Sequence, residues 1–435
     1  MIKKLLIVLI ACVTLQISAQ EGTASPYSFY GIGSLKAKGT VENRSMGGLS
    51  IYTDSIHVNL RNPAAYAQPN LKIWNEENRP VKFSVAGSYN SATLKADSGE
   101  AEVSATTFDY IALSIPLSPK MGFGFGLLPF TSVGYKVEDF EGENIVNRFR
   151  GEGGVNRAFL GFGYRITNKL SLGIDLNYNF GNIQNSVVEF DYDDDGELVD
   201  FQSREDNRSD LSGLNVNIGL TYKDMLTEKL ELQVGLTYTP RSTLTSRNER
   251  FFTTIEILQN SDIEIPVNSI ELDLEELGLD VTDLTLPSRF SVGAGVGAPR
   301  KWFAGLEYTL QNTSEFSNPF ITANNTNFVN ASGISLGGFF IPDYNSFNSY
   351  WKRVVYRGGI YYENTGLEIK TEPINEFGIT FGLGLPVGGF ASNANIGVEI
   401  GRRGTREQNL ILENFFNLHL SLSLNDRWFE KRKYN

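Results

Sequence analysis

"KLSLGIDLNYNF", residues 169–180, places Leu170, Leu172, Ile174, Leu176, Tyr178 and Phe180 on every second position, with Ser171, Gly173, Asp175, Asn177 and Asn179 in the gaps. A period of two is that of a β-strand with one apolar and one polar face. Half-buried strands of soluble proteins run about five or six residues, and this one is about twice that. Roughly ten residues is the length that crosses a bilayer at a tilt.

The pattern recurs after about residue 80 in "VKFSVAGSY", "LNVNIGLTY", "LELQVGLTY", "WFAGLEYTL", "FGITFGLGL" and "FNLHLSLSL". Short connections at 118–120, 167–169, 223–229, 298–301 and 386–393 alternate with longer segments near 92–103, 138–154, 190–210, 248–287, 313–330, 364–376 and 403–413. The connection "IPDYNSFNSYWKR" (341–353) falls in a short-turn place but is longer than its peers. The count predicts an all-β fold, a transmembrane antiparallel β-barrel of about fourteen strands with short turns on one side and long loops on the other. Closure also removes the sheet edges that lipid would not tolerate. The competing reading is a soluble sandwich or propeller. It leaves the paired loop lengths unexplained, and no blade repeat is present.

Charge sorts by side. The short turns carry Lys120, Lys169, Lys229, Arg300, Lys301, Lys352 and Arg353, whereas the long segments hold "DYDDDGE" (191–197), Asp262, Glu264, Glu271, Asp273, Glu275, Glu276 and Asp280. Tyr178, Tyr222, Tyr238, Trp302, Tyr308 and Trp428 near strand ends suit an aromatic girdle. The net charge of −12 excludes nucleic acid as a natural partner.

The chain opens "MIKKLLIVLIACVTLQISAQ", a positive start, a short apolar run and small residues, which reads as a signal peptide over residues 1–19. "LIAC" also resembles a lipoprotein box, with Cys12 as the acceptor. Cys12 is the single cysteine, so the mature chain has neither disulfide nor thiolate metal site. Residues 20–80 lack alternation and are long enough to plug a lumen too wide for wall side chains to fill. Residues 81–425 make the barrel, and 426–435 a periplasmic tail. In "LRNPAAYA", Asn62 is a cap and Pro63 the first turn of a short helix.

With "RSMGGLSIYTDSIHVNLRNPAA" the N-terminal segment resembles the FadL family of outer-membrane transporters for long-chain fatty acids and other hydrophobic compounds. A Gly-containing small-residue stretch leads there, after a spacer, to Asn-Pro-Ala in the hatch. "FNSYWKRVVYRGG" and "NDRWFEKRKYN" resemble a Bacteroidota branch of such proteins. The resemblance implies passive uptake of a hydrophobic small molecule, such as a long-chain fatty acid, across the outer membrane through a mobile hatch and a side opening, with membrane lipid and that ligand as partners and no cofactor. Hatch residues are then Gly47, Gly48, Asn62, Pro63 and Ala64. The family's third strand kinks inward and opens sideways. Here that strand is "MGFGFGLLPFTSVGYKV", so Gly122, Gly124, Gly126 and Pro129 are the candidate lateral opening, against plain barrel bending by glycine and proline. The same plugged barrel also suits an accessory subunit of a larger outer-membrane assembly, for secretion or barrel insertion, with other outer-membrane proteins as partners.

Asp175, Glu231, Glu307, Arg357, Glu399 and His419 are expected on the lumen wall, anchoring the hatch by hydrogen bonds and ion pairs. His419 shares a phase with Ser421 and Ser423, yet no nucleophile motif or oxyanion loop accompanies it, so an enzyme is not expected. "SIELDLEELGLD" (269–280) has the makings of an amphipathic helix over a ligand groove. Asp191, Asp193 and Asp195 have the spacing of a calcium loop, but Gln202 stands where the loop needs Glu. They remain a candidate for surface divalent binding against a solvated loop tip.

Overall fold

The computed structural model describes residues 22–36, 38–67, 80–142, 144–258, 263–321, 326–387 and 392–426. The signal peptide, Cys12, Asp262, Trp428 and the tail beyond Asp426 lie outside the described residues.

Among these, fourteen strands close into an antiparallel barrel: β1 Val81–Ala96, β2 Gly99–Ser118, β3 in two parts (Met121–Pro129 and Thr131–Glu141), β4 Asn144–Arg165, β5 Leu170–Glu189, β6 Phe201–Met225, β7 (Glu231–Thr239 and Ser242–Ile257), β8 (Val281–Leu286 and Arg289–Ala298), β9 Trp302–Gln311, β10 Ala331–Phe340, β11 Val355–Ile369, β12 Glu372–Pro386, β13 Asn393–Arg403 and β14 Leu412–Asp426. β1 seals the ring against β14, from Val81↔Asp426 to Lys95↔Leu412.

The strand that begins the reading decides the solvent. On β5, Ile174 is 48% and Tyr178 48% exposed, whereas Ser171 is fully buried and Asp175 4% exposed. Apolar side chains face outward and polar ones inward, the reverse of a soluble core. The outward row repeats on every strand with Phe162, Leu306, Leu336, Ile360, Phe381 and Leu420 exposed. With the backbone ladders paired strand to strand around the belt, it meets hydrocarbon at little cost. The chain is thus an integral barrel of the Gram-negative outer membrane, with its short connections gathered on one rim.

The short connections fall where the sequence predicts them. Several of the long segments do not stay loops. β1 and β2 continue into a tight hairpin at residues 97–98, and β3 and β4 stay paired up to Glu141↔Asn144. β4, β5 and β6 run 22, 20 and 25 residues. They rise past the belt as a hydrogen-bonded wall. Above the belt neither face touches lipid, so the apolar alternation fades while the ladder persists. For the same reason the amphipathic helix at 269–280 is absent. Glu264–Glu271 is a strand laid on β7, and a turn follows it.

Residues 22–67 lie inside the barrel. Three short helical pieces shape them: the 3-10 turn Pro26–Phe29, then α1 Val41–Arg44 and the 3-10 turn Pro63–Ala67. A two-residue strand, Ser34–Leu35, pairs with the upper part of β3.

Candidate functional site

The plug, or hatch, is built from local rules first. Thr40 caps α1 in a reciprocal box with Asn43. Asn43 then donates its amide to Leu49 O at 2.7 Å. The chain reverses through Gly47 and Gly48, at φ +69° and +86°, a left-handed conformation that glycine adopts without penalty. Asn62 caps the second turn, its Oδ1 accepting from Ala64 N at 3.1 Å, with Pro63 at the first position. Val41, Leu49 and Ile51 are essentially fully buried. Each contributes about 1.5–3 kcal/mol by leaving water.

The wall meets this plug through glycine. Inward positions of successive strands carry Gly122, Gly173, Gly219, Gly337 and Gly359, and a Cβ at any of them would overlap hatch atoms: Tyr66 O, the Pro63–Ala64 peptide, Asn62 Oδ1, Met46 O and Gly47 N respectively. The backbone of the hatch therefore lies directly on the wall. These inward glycines are seats for it. Gly124 likewise accommodates the Tyr66 ring. So Gly122 and Gly124, expected at a lateral opening, serve the plug instead, in the fully paired lower part of β3.

Charged wall residues hold what the glycines seat. Glu307, 3% exposed in its side chain, accepts from Arg61 Nη2 at 2.7 Å and from Ser50 N and Oγ at 2.7 and 2.9 Å. Arg357 donates to Asn395 Oδ1 at 3.1 Å, and Asn395 donates to Glu42 Oε1 at 2.7 Å. Glu399 accepts from Tyr361 and Asn417 and faces His419 Nε2 at 3.2 Å. Asp175 accepts from Asn217 at 3.3 Å beside Tyr66. Glu231 pairs with Lys223 at 3.1 Å, and that ammonium reaches the hatch at the Thr53 carbonyl, 3.5 Å away. Within the hatch, burial opposes the charge of Asp54, but the His57 ring at 2.6 Å and the Lys82 ammonium outweigh it and hold the carboxyl well below its usual range.

Alternation alone misses Asp109. It is the extra residue of a β-bulge opposite Ala86 and Gly87, so Asp109 and Tyr110 both point inward. Asp109 pairs with Arg44 at 3.2 Å, and the Tyr110 hydroxyl accepts from Val41 N at 3.3 Å. The signal is in the sequence: outward Phe108 and Ile111 stand three apart, a slip of one. Glu376, tied to Lys38 at 2.7 Å and to Arg403, is a second anchor that the sequence pattern does not single out.

Higher up, the wall is interrupted. β2 and β3 pair from Ser118↔Met121 to Ile111↔Leu127, and no pairing of β2 with β3 follows. Phe130 sits between the two parts of β3. Its carbonyl accepts from Lys36 N at 2.9 Å, and Thr131 and Ser132 pair with Leu35 and Ser34. The upper part of β3 keeps its ladder with β4, from Val133↔Gly153 to Glu141↔Asn144, but its other edge turns from β2 to the N-terminal segment. Gly126 and Pro129 flank this departure. Behind it lies a cavity of about 280 Å³ above the hatch, lined by Ile32, Leu35, Leu60, Leu128, Phe130 and Phe159 with Arg157, Arg289 and Asp175 among its polar groups.

The geometry makes no hydrolytic centre of His419: its nitrogens face Glu399 and Arg44, while Ser421 Oγ accepts from Asn395. Among the described residues no group of three or more His, Cys, Asp or Glu is gathered to hold a metal ion. Asp193 caps its own turn through Asp195 N and Glu197 N at 3.0 and 2.9 Å.

A profile of the BamG family matches residues 1–435. The chain belongs to the BamG family. No curated protein matches it. Among solved structures it is similar to the Pseudomonas putida toluene transporter TodX (TM-score 0.59, 15% identity, 90% of this chain and 99% of that one). It is also similar to a Pseudomonas aeruginosa FadL homologue (0.56, 12%, 90% and 99%) and to the CymD monoaromatic hydrocarbon channel (0.56, 13%, 91% and 98%). At such identities the fold carries over and the cargo does not. FadL-type channels are thus relatives in fold, and the family matched by sequence is BamG.

Proposed function

We propose that this barrel takes a hydrophobic small molecule from outside into the cavity above the hatch and releases it sideways, without energy input, past Phe130. The supporting observation is the coincidence of two features. The cavity and the end of the β2–β3 ladder share Leu128 and Phe130. The hatch, pinned by Glu307, Asp109 and Glu376, stays in place while cargo passes above it. The lateral opening is then Gly126, Pro129 and Phe130.

Ser34 and Ser132 are direct cross-strand partners, close enough for an engineered disulfide. The Ser34→Cys/Ser132→Cys pair would pin upper β3 to the N-terminal segment. Uptake of toluene or a long-chain fatty acid, in cells with this barrel as their only such channel, is expected to fall about ten-fold and to recover on reduction. Uptake that ignores the disulfide, or is absent from the unmodified barrel, would refute the transport reading.

A second reading, an accessory subunit of a larger outer-membrane assembly, draws on a separate observation. Residues 22–36 also occupy the upper lumen, where Ser25 bonds Glu413 at 2.6 Å and Tyr27 bonds the Ile411 carbonyl. Stable stoichiometric partners after detergent extraction, with no uptake by the unmodified barrel, favour it.

A further inference from the structure

The oversized connection at 341–354 is not consumed by either reading. It is ordered from within: Asp343 N bonds Lys352 O at 2.8 Å, Arg353 N bonds Tyr350 O at 3.0 Å, and Tyr344 packs inward under the Arg300 guanidinium. Its other aromatics turn outward. Phe347 is 99% and Trp351 63% exposed. These side chains continue the lipid belt. The Tyr356 hydroxyl, on an outward-facing side chain of β11, bonds Trp351 O at 3.2 Å, and the Tyr350 hydroxyl bonds Pro386 O at 3.1 Å at the foot of β12.

Four cations sit here on two adjoining connections. Ile341 N bonds Lys301 O at 2.7 Å, joining the 298–301 turn to this one. Among the described residues no ion pair is formed by Arg300, Lys301, Lys352 or Arg353, and Arg353 Nε is buried without a hydrogen-bond partner. Elsewhere on the rim Lys169 is matched by Asp224 at 2.6 Å, while Lys120 and Lys229 form no ion pair among the described residues; what sets this sector apart is the outward Trp351 and Phe347 beside its cations. Unmatched cations beside outward Trp and Tyr at the edge of an apolar belt fit the headgroup zone of a bilayer.

We propose that this sector is a foot seated in the periplasmic leaflet, where Arg300, Lys301, Lys352 and Arg353 hold the phosphate of an anionic phospholipid and Trp351 and Phe347 enter the acyl boundary. The proposal does not depend on the cargo or on transport.

The test uses the full barrel in phosphatidylcholine nanodiscs carrying a minor fraction of acyl-brominated phosphatidylglycerol or acyl-brominated phosphatidylcholine. The quenching assigned to Trp351 is the part lost in Trp351→Phe. It is expected to be stronger with the anionic lipid. Lys352→Gln/Arg353→Gln is expected to cut that preference roughly five-fold or more, with heat-modifiable gel mobility unchanged. Equal quenching by the two lipids, or a preference that survives the double variant, would overturn the proposal. So would a Trp351 shielded from both lipids by a co-purifying protein, which would assign the patch to that protein.

Discussion

Gly359→Ala is expected to unseat the hatch, while the same change one residue earlier, Gly358→Ala, is expected to be silent. The two glycines are neighbours on β11 and face opposite sides. A Cβ on Gly359 would overlap Gly47 N and the Met46 carbonyl carbon. These are backbone atoms of a loop pinned by Gly47 N bonding Thr380 Oγ1 at 2.9 Å, so nothing flexible can yield. At Gly358 the nearest atom to such a Cβ is Thr380 O at 3.8 Å, an ordinary contact. Overpacking in a close-packed interior costs about 1–3 kcal/mol, occasionally more, whereas a fitting surface change stays within about 0.5 kcal/mol. Gly358→Ala adds only a methyl to the lipid-facing belt and Gly359→Ala leaves the belt alone, so both variants should insert. The measurements are the temperature of the heat-modifiable gel shift and leak conductance in planar bilayers. Gly359→Ala should lower the first and raise the second. Equal behaviour of the two variants would remove the claim that the hatch backbone rests on the wall.

This claim also explains what was legible in the sequence. The period-two rows on β5, β6, β9, β12 and β14 could be read because lipid demands an unbroken apolar face, and a demand made by the solvent is written at every position. The turn positions were equally plain, since short turns need few residue types. The cap at Asn62 and Pro63 followed from local geometry alone. Upper strands were read as loops because, beyond the belt, no solvent enforces alternation. Glycine in "MGFGFG" was read as a weakness of β3 because a single strand gives no hint of what lies across the lumen. Only the ring of glycines on many strands, each opposite a piece of residues 45–67, reveals the seat. Asp109 was hidden by its bulge: a strict period places Tyr110 outward, and the one-residue slip between Phe108 and Ile111 is small against the noise of a Thr-rich strand end.

Glu307 carries the second large expectation. Its carboxylate is shared by Arg61 and Ser50, which come from opposite ends of the Ser50–Arg61 excursion, so one wall residue clasps both. Burial of a paired charge stabilises little in itself, because desolvation offsets attraction, but stripping one partner leaves the other uncompensated and costs about 3–5 kcal/mol. Glu307→Gln should therefore be severe. It retains an acceptor for Ser50 while abandoning the Arg61 guanidinium, whose side chain is 15% exposed. Arg61→Met in the same molecule should restore much of the loss, since the stranded charge is gone. The double-mutant cycle separates this from simple loss of a contact. A pair that merely decorates the lumen would give small, additive effects on the gel-shift temperature. A clasp gives a large single-variant loss, with the excess cancelled in the double variant. Leak conductance adds the functional half, for only a clasp that holds the hatch shut should open the lumen when it fails. Additivity of the two changes, with conductance at the wild-type level in Glu307→Gln, would mean that the hatch is held by its glycine seats alone.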